Sequence, residues 1–364
     1  MATAILNNIE KIRAVDKSGM INFCVNSAKH YREAAEIAKK ITVNYPKPDN
    51  TIITGMGGSG ISGDLLKDWA RNKTDVPIEV NRGYELPNYA GKNTLVVIMS
   101  YSGDTEESLS AFLDALRRKC MVFCISSGGI LLKYAEKLHV PFVRVVGGMP
   151  PRAALPYLFV PLLFFMEKAG LVSGVSEELN EALVLLEKIS RENSPEVKDN
   201  FAKTLAVNIG KTAPVTYGFG FYRGVAKRFK QQFNENSKLP AKAEVFSELN
   251  HNEIVGWEGI GELGKCFSVI FIRDQDEPVE IKSRIETTKQ ILKQEGLRML
   301  EIQAQGKSAL ARMLSTILIG DFTSVYSAVL HGVDPTPVKT INHLKDTLNL
   351  SGIKEKIGSE LEKL

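Results

Sequence analysis

Short runs of β-branched and apolar residues recur along the chain, separated by longer stretches with helical spacing. The first five are Thr51–Thr54, Ile78–Val80, TLVVIMS from Thr94 to Ser100, MVFCIS from Met121 to Ser126, and FVRVV from Phe142 to Val146. A half-wet strand alternates apolar and polar residues, whereas a strand buried on both faces is apolar throughout. Runs such as TLVVIM therefore suit a parallel sheet covered by helices on both sides. Between the runs, Glu106–Lys119 places Leu109, Phe112, Leu113 and Leu116 on one helical face. This alternation implies an α/β layered fold.

The pattern then returns. Pro214–Gly218, Ala243–Glu248, Phe267–Ile272 and Leu297–Gln303 read as strands, and Phe221–Glu235, Val279–Gln294 and the apolar Ala309–Leu330 as helices. TGMGGSGISGDLLKDWA in the first half faces YGFGFYRGVAKRFKQQF in the second, so Gly55 and Gly57 recur as Gly218 and Gly220. The fold expected is α/β, with two tandem doubly wound units, each a mainly parallel sheet flanked by helices. A Gly/Ser/polar cluster near Lys168–Ser176 places the boundary. The units expected are residues 1–172, with the glycine-rich and hydroxyl loops, and residues 173–364, with the C-terminal helices. A charged helix around Glu177–Arg191 would link them.

Composition narrows the classes. With 46 Lys+Arg against 42 Asp+Glu in 364 residues, the net charge is +4 and no basic block of five or more occurs. Nucleic acid is thus not an expected partner. The longest apolar run, Ala153–Met166, is broken by Pro156 and Pro161 and falls short of the ~18 residues of a membrane span, so no membrane partner is expected. The first twenty residues have no apolar stretch like that of a signal peptide, and four cysteines make no disulfide scaffold. A reducing, cytoplasmic location is the expectation.

Two loops carry candidate chemistry. Gly55-Met56-Gly57-Gly58-Ser59-Gly60 follows a strand and opens a helix, matching G-x-G-x-x-G. Glycines there allow a tight turn and close backbone approach by an anionic ligand. A dinucleotide would also want an acidic residue at the end of the next strand, where this chain has Asn81-Arg82-Gly83. A phosphate-bearing or sugar ligand fits better, with a ligand-free turn as the plain alternative. The second loop, Ser100-Tyr101-Ser102-Gly103-Asp104-Thr105, sets three hydroxyls around a glycine where a strand turns into a helix. Ser100 and Ser102 share a side if the chain is extended, and helix N-terminal N–H groups add donors. That is a neutral cradle for a phosphate; for Thr105 alone, an ordinary N-cap would suffice. The matching stretch of the second half, Arg273-Asp274-Gln275-Asp276-Glu277, has two aspartates and no hydroxyl, so one phosphate site per chain is expected.

These loops resemble the sugar isomerase (SIS) domain, of which S-x-S-G-x-T-x-E is the most specific mark. More narrowly, the chain resembles the archaeal-type bifunctional phosphoglucose/phosphomannose isomerases. GMGGSG at 55–60, SYSGDTEE at 100–107, PPRAALPY at 150–157, NENSK at 234–238, ELNHNEIVGWE at 248–258 and GVDPTPV at 332–338 carry the likeness. The resemblance implies reversible conversion of glucose 6-phosphate and mannose 6-phosphate with fructose 6-phosphate. By it, Ser100, Ser102 and Thr105 hold the phosphate, and Gly58 and Ser59 contact the substrate. Arg152 is the active-site arginine, Glu235 the base and His251 the ring-opening residue. Thr323 would lie near the sugar, and a C-terminal lysine, Lys339 or Lys345, would take part. It also implies a homodimer with a shared active site.

The residue types suit that chemistry. Isomerisation needs a group to open the ring, a base to carry a proton between C1 and C2, and a cation for the enediolate oxygen. Histidine can give and take a proton near neutrality. Arg152, set by Pro150-Pro151, offers a fixed positive charge, and Glu235 closes a helix. Taken alone, each could equally be structural: a helix-end glutamate, a surface histidine, an ion-pair arginine. The reaction is a proton shuttle, so no metal or organic cofactor is expected. Two other readings are an amino-sugar phosphate isomerase and a non-catalytic sugar-phosphate-binding regulator.

Overall fold

The computed structural model describes residues 2–350 and 352–364. The chain falls into two compact units. One joins the residues up to Ala28 with Ser176–Pro337, and the other joins Lys29–Val175 with Val338–Leu364. The terminal segments thus group differently from an uncut division at 172/173. The cause is apolar packing. Ile357 and Leu361 of helix Ile353–Glu362 bury against the core that holds Leu109, Phe112 and Leu131, and the Tyr134 hydroxyl donates to Glu362. At the other end Leu6, Ile12 and Met20 are buried, and Asn7 bonds Asp199.

The unit containing Lys29–Val175 is built on five strands: β1 (Asn50–Thr54), β2 (Ile78–Asn81), β3 (Thr94–Met99), β4 (Met121–Ser126) and β5 (Phe142–Arg144). All pair in parallel, in the order β2-β1-β3-β4-β5. Every residue of β3 is buried, as its unbroken apolar run requires. Connections leave β1 toward one edge and β3 toward the other, so the chain direction switches between them. In such sheets the crevice at the carboxyl ends of those two strands is where ligands bind. The two loops that open there are Gly55–Gly60 and Ser100–Thr105.

The second unit repeats the scheme with β6 (Ala213–Phe219), β7 (Lys242–Phe246), β8 (Phe267–Arg273) and β9 (Arg298–Gln303). These are parallel in the order β7-β6-β8-β9. Gly57 and Gly220, matched in sequence, share a left-handed backbone, with φ of +49° and +50°. A duplicated turn accounts for both. Helix Ala309–Leu330 is long and apolar enough to cross a bilayer, but 89% of its apolar window is buried inside the protein. It is a core helix.

Candidate functional site

Three loops meet in the unit of β1–β5. The glycine loop after β1 opens helix Gly57–Trp69. A Cβ on Gly58 would lie 2.7 Å from the Pro151 carbonyl oxygen, so only glycine lets this helix start against the segment bearing Arg152. Ser59 Oγ accepts the Tyr101 N–H at 3.2 Å, tying the glycine loop to the hydroxyl loop. Arg82, which follows β2, donates to the Gly60 carbonyl and to Asp64. Its charge is spent on the protein at the place where a dinucleotide site would want an acid.

The hydroxyl loop is shaped by its own side chains. Ser100 is 1% exposed; its Oγ accepts the Gly103 N–H at 3.1 Å and donates to Thr105 Oγ1 at 2.9 Å. Ser102 is exposed and accepts the Asp104 N–H. Thr105 is the N-cap of helix Glu106–Arg117, yet its side chain makes no capping bond. Capping therefore does not account for the threonine, and the first-turn N–H groups stay available to an anion. Gly103 has φ +78°, and a Cβ there would sit 1.9 Å from the Gly128 carbonyl oxygen. No other residue fits.

Arg152 is 3% exposed, in a short 3-10 turn, Pro151–Ala153, ahead of the apolar helix Leu155–Lys168. Gly58, Ser59, Ser100, Ser102, Thr105 and Arg152 thus belong to one unit, around the switch point. Lys339 and Lys345 belong to it as well. Both are exposed, on helix Lys339–Asn349.

The matching loop of the other unit is filled from within. Asp274 accepts the Tyr222 hydroxyl and Arg312 Nη1, and Arg312 Nη2 reaches Asp276. A protein carboxylate occupies the arginine and the phenol, the two donors there that suit a ligand anion. Burial, with the carboxylate beside it, raises the Tyr222 phenol above its ordinary pKa and keeps it a donor.

Glu235, His251 and Thr323 belong to this second unit. Helix Arg223–Gln232 ends in a π-helical turn, Phe233–Ser237, that carries Glu235 half-buried. The turn is anchored by Asn236 Nδ2 to Ser324 Oγ at 2.9 Å and by Ser237 Oγ to the Ser324 carbonyl at 2.7 Å. Lys238 then donates to the carbonyls of Glu235 and Pro335. Thr323, next to Ser324 in helix Ala309–Leu330, is buried and donates its hydroxyl to the Ile319 carbonyl. His251 is exposed in the 3-10 turn Glu248–His251 after β7.

Topology separates the two acid–base candidates within a chain. Helix Arg223–Gln232 joins parallel neighbours β6 and β7, so Glu235 at its end lies where β7 begins. His251 lies beyond the other end of β7, whose five residues span about 17 Å.

The residues missed by sequence reasoning are the ones that hold these loops: Tyr101, Ser127, Ser237 and Ser324. Their partners lie far along the chain, and no local pattern marks them. Among the described residues, no three His, Cys, Asp or Glu side chains cluster as a metal site would require. The four cysteines are free thiols.

Comparison with known proteins gives the same outline. Residues 198–348 match the family model described as bacterial phospho-glucose isomerase C-terminal SIS domain. The bifunctional phosphoglucose/phosphomannose isomerase of Caldicellulosiruptor bescii is 40% identical over 334 residues, 90% of this chain and 98% of that protein. The protein of the same name from Aquifex aeolicus is 34% identical over 317 residues, 87% and 94% of the two chains. A solved structure of a hypothetical protein from Thermus thermophilus aligns over 94% of each chain with a TM-score of 0.72 at 13% identity, a likeness of fold. With identity of this level over nearly the whole of both chains, the protein belongs to the family of bifunctional phosphoglucose/phosphomannose isomerases.

Proposed function

We propose that this protein interconverts glucose 6-phosphate and mannose 6-phosphate with fructose 6-phosphate. One observation carries the reading: the hydroxyl cradle, the glycine loop and Arg152 converge at the switch point of one sheet, in a chain of this family. Ser100, Ser102 and Thr105, with the helix N terminus, bind the 6-phosphate. A cradle of neutral donors holds a dianion without the grip of a lysine cluster and lets product leave. Gly58 and Ser59 contact the sugar chain.

Chemistry then needs one proton moved twice. His251 gives a proton to the ring oxygen as the anomeric hydroxyl passes one to solvent water, which opens the ring. Glu235 takes the C2 proton of the aldose, and the electron pair shifts to form the enediolate. Arg152 neutralises the oxygen that gains charge. Passage of the O2 proton to O1 and return of the carbon-bound proton to C1 give the ketose, and return to either face of C2 in the reverse direction gives glucose or mannose configuration. Thr323 contributes near the sugar through its helix, and Lys339 or Lys345 adds a second cation.

We also propose a homodimer. In one chain Glu235 and His251 stand at opposite ends of β7, whose five residues span about 17 Å, so a sugar that meets both draws them from two copies. Four free thiols accord with a cytoplasmic setting. The test is purified protein with fructose 6-phosphate in EDTA, the two aldose phosphates being quantified separately. Formation of both, lost in Glu235→Gln, supports the proposal. Sugar-phosphate binding without turnover would make the protein a sensor instead.

A further inference from the structure

We propose that Tyr101 is a positioning residue that links the phosphate loop to the segment bearing Arg152, so that phosphate occupancy sets where the arginine stands. The inference rests on the phosphate reading of Ser100, Ser102 and Thr105.

Tyr101 lies between the two serines and is 6% exposed. Its side chain points away from the hydroxyl cradle into the segment after β5. There the phenol donates to the Val146 carbonyl at 3.0 Å and accepts the Met149 N–H at 3.1 Å. Its main chain is fixed just as fully. The N–H donates to Ser59 Oγ, and the carbonyl accepts both the N–H and the hydroxyl of Ser127, at 3.0 and 2.6 Å. One residue therefore touches the glycine loop, the loop after β4 and the strap toward Arg152.

The strap needs such a hold. Val145 makes its sheet-side bond to the Ser126 carbonyl. Gly147 and Gly148 follow, the latter at φ +87°, and two glycines leave the backbone loose. Pro150-Pro151 is stiff by contrast, and Ala153 N–H closes onto the Pro150 carbonyl. Movement at Met149 is thus passed through two prolines to Arg152 with little lost. The Tyr101 phenol grips both sides of the loose glycine pair. Burial raises its pKa, against the Met149 N–H that favours the charged form, so it remains a neutral donor–acceptor. Ser102, one residue on, belongs to the phosphate cradle. Binding energy gained at the phosphate, remote from C1 and C2, can in this way order the cation that acts on the enediolate.

Tyr101→Phe keeps the ring and deletes both bonds. The expected result is a kcat about 10- to 100-fold lower with KM for fructose 6-phosphate and inhibition by inorganic phosphate both little changed, as a displaced catalytic group demands. Ser102→Ala, run beside it, should raise KM and weaken phosphate inhibition. If Ser102→Ala moves neither, the phosphate reading fails whatever Tyr101 does. If Ser102→Ala behaves as expected while Tyr101→Phe leaves kcat unchanged, or raises KM alongside the phosphate inhibition constant, the coupling is overturned. A second readout has a wild-type arm that does not depend on the variant folding. Inorganic phosphite should accelerate the wild-type enzyme's slow isomerisation of unphosphorylated fructose, and should not accelerate Tyr101→Phe. No acceleration in the wild type would overturn the coupling by itself.

Discussion

Gly58 shows how narrowly single residues fix this site. With 2.7 Å between an added Cβ and the Pro151 oxygen, alanine must push either its helix or the Arg152 turn. Backbone gives way less cheaply than a side chain, so overpacking here costs about 1–3 kcal/mol, or a melting-point loss of a few degrees in a chain this size. Gly58→Ala should therefore fold, melt a few degrees lower by calorimetry, and lose much more activity than stability. Activity equal to wild type would show that the two loops need not touch. The hydroxyl loop was legible in sequence as three oxygens around a glycine. What could not be read was the division of labour among them. Ser100 turns inward to organise the loop and Ser102 faces solvent, a difference that spacing alone does not show.

Among the elements, strands were the most legible, because a strand covered on both faces must be apolar at every position; β3 and β4 run as their sequences indicate. Helices Val279–Gln294 and Ala309–Leu330 have the bounds their periodicity gives. The segment Phe221–Glu235 does not. It reads as one helix, yet the last turn widens into a π-helical turn because Asn236 and Ser237 are held by Ser324, nearly ninety residues away. π-turns of this kind often accompany function, and local propensity carries no trace of such a tether. Helix Val175–Glu192 plays a similar long-range part. Its Glu181 accepts the N–H groups of Lys307 and Ser308, and its Glu178 accepts that of Leu310, so two carboxylates meet the positive end of helix Ala309–Leu330. Burial acts to raise the Glu181 pKa, but those backbone bonds outweigh it, and the folded value lies below 4.5. A lowered folded pKa means stability that is present above the unfolded value and lost as pH falls through the folded one. Glu181→Gln should thus lower the melting temperature at pH 7, with the gap closing as pH drops below ~4. A gap that stays constant to pH 3 would remove the charge from the explanation.

At the scale of the whole molecule, the duplication was visible in the paired glycines and the order of strands. The grouping of the chain ends was not, since residues 1–28 and 338–364 are placed by buried leucines and isoleucines far from any boundary signal. The duplicated units have diverged at one point that matters: the first keeps an open hydroxyl loop, and the second fills its loop with Asp274 and Arg312. That replacement is the basis for proposing one phosphate site per chain. The separation of Glu235 from His251 along β7 gives a further consequence for the assembly. Glu235→Gln and His251→Ala should each be inactive alone. Mixed by unfolding and refolding together, they should recover about a quarter of wild-type activity, because half of the dimers are mixed and one of their two sites is intact. Recovery of none would place both groups in a single chain's site.

The central claim is that Glu235 moves a carbon-bound proton on a sugar held by its phosphate. Incubation of fructose 6-phosphate in D2O tests it most directly, with proton NMR of the aldose phosphates formed. The wild-type enzyme should place deuterium at C2 of both glucose 6-phosphate and mannose 6-phosphate, and Glu235→Gln should place none. Unchanged labelling and unchanged aldose formation by the variant would contradict the role given to Glu235.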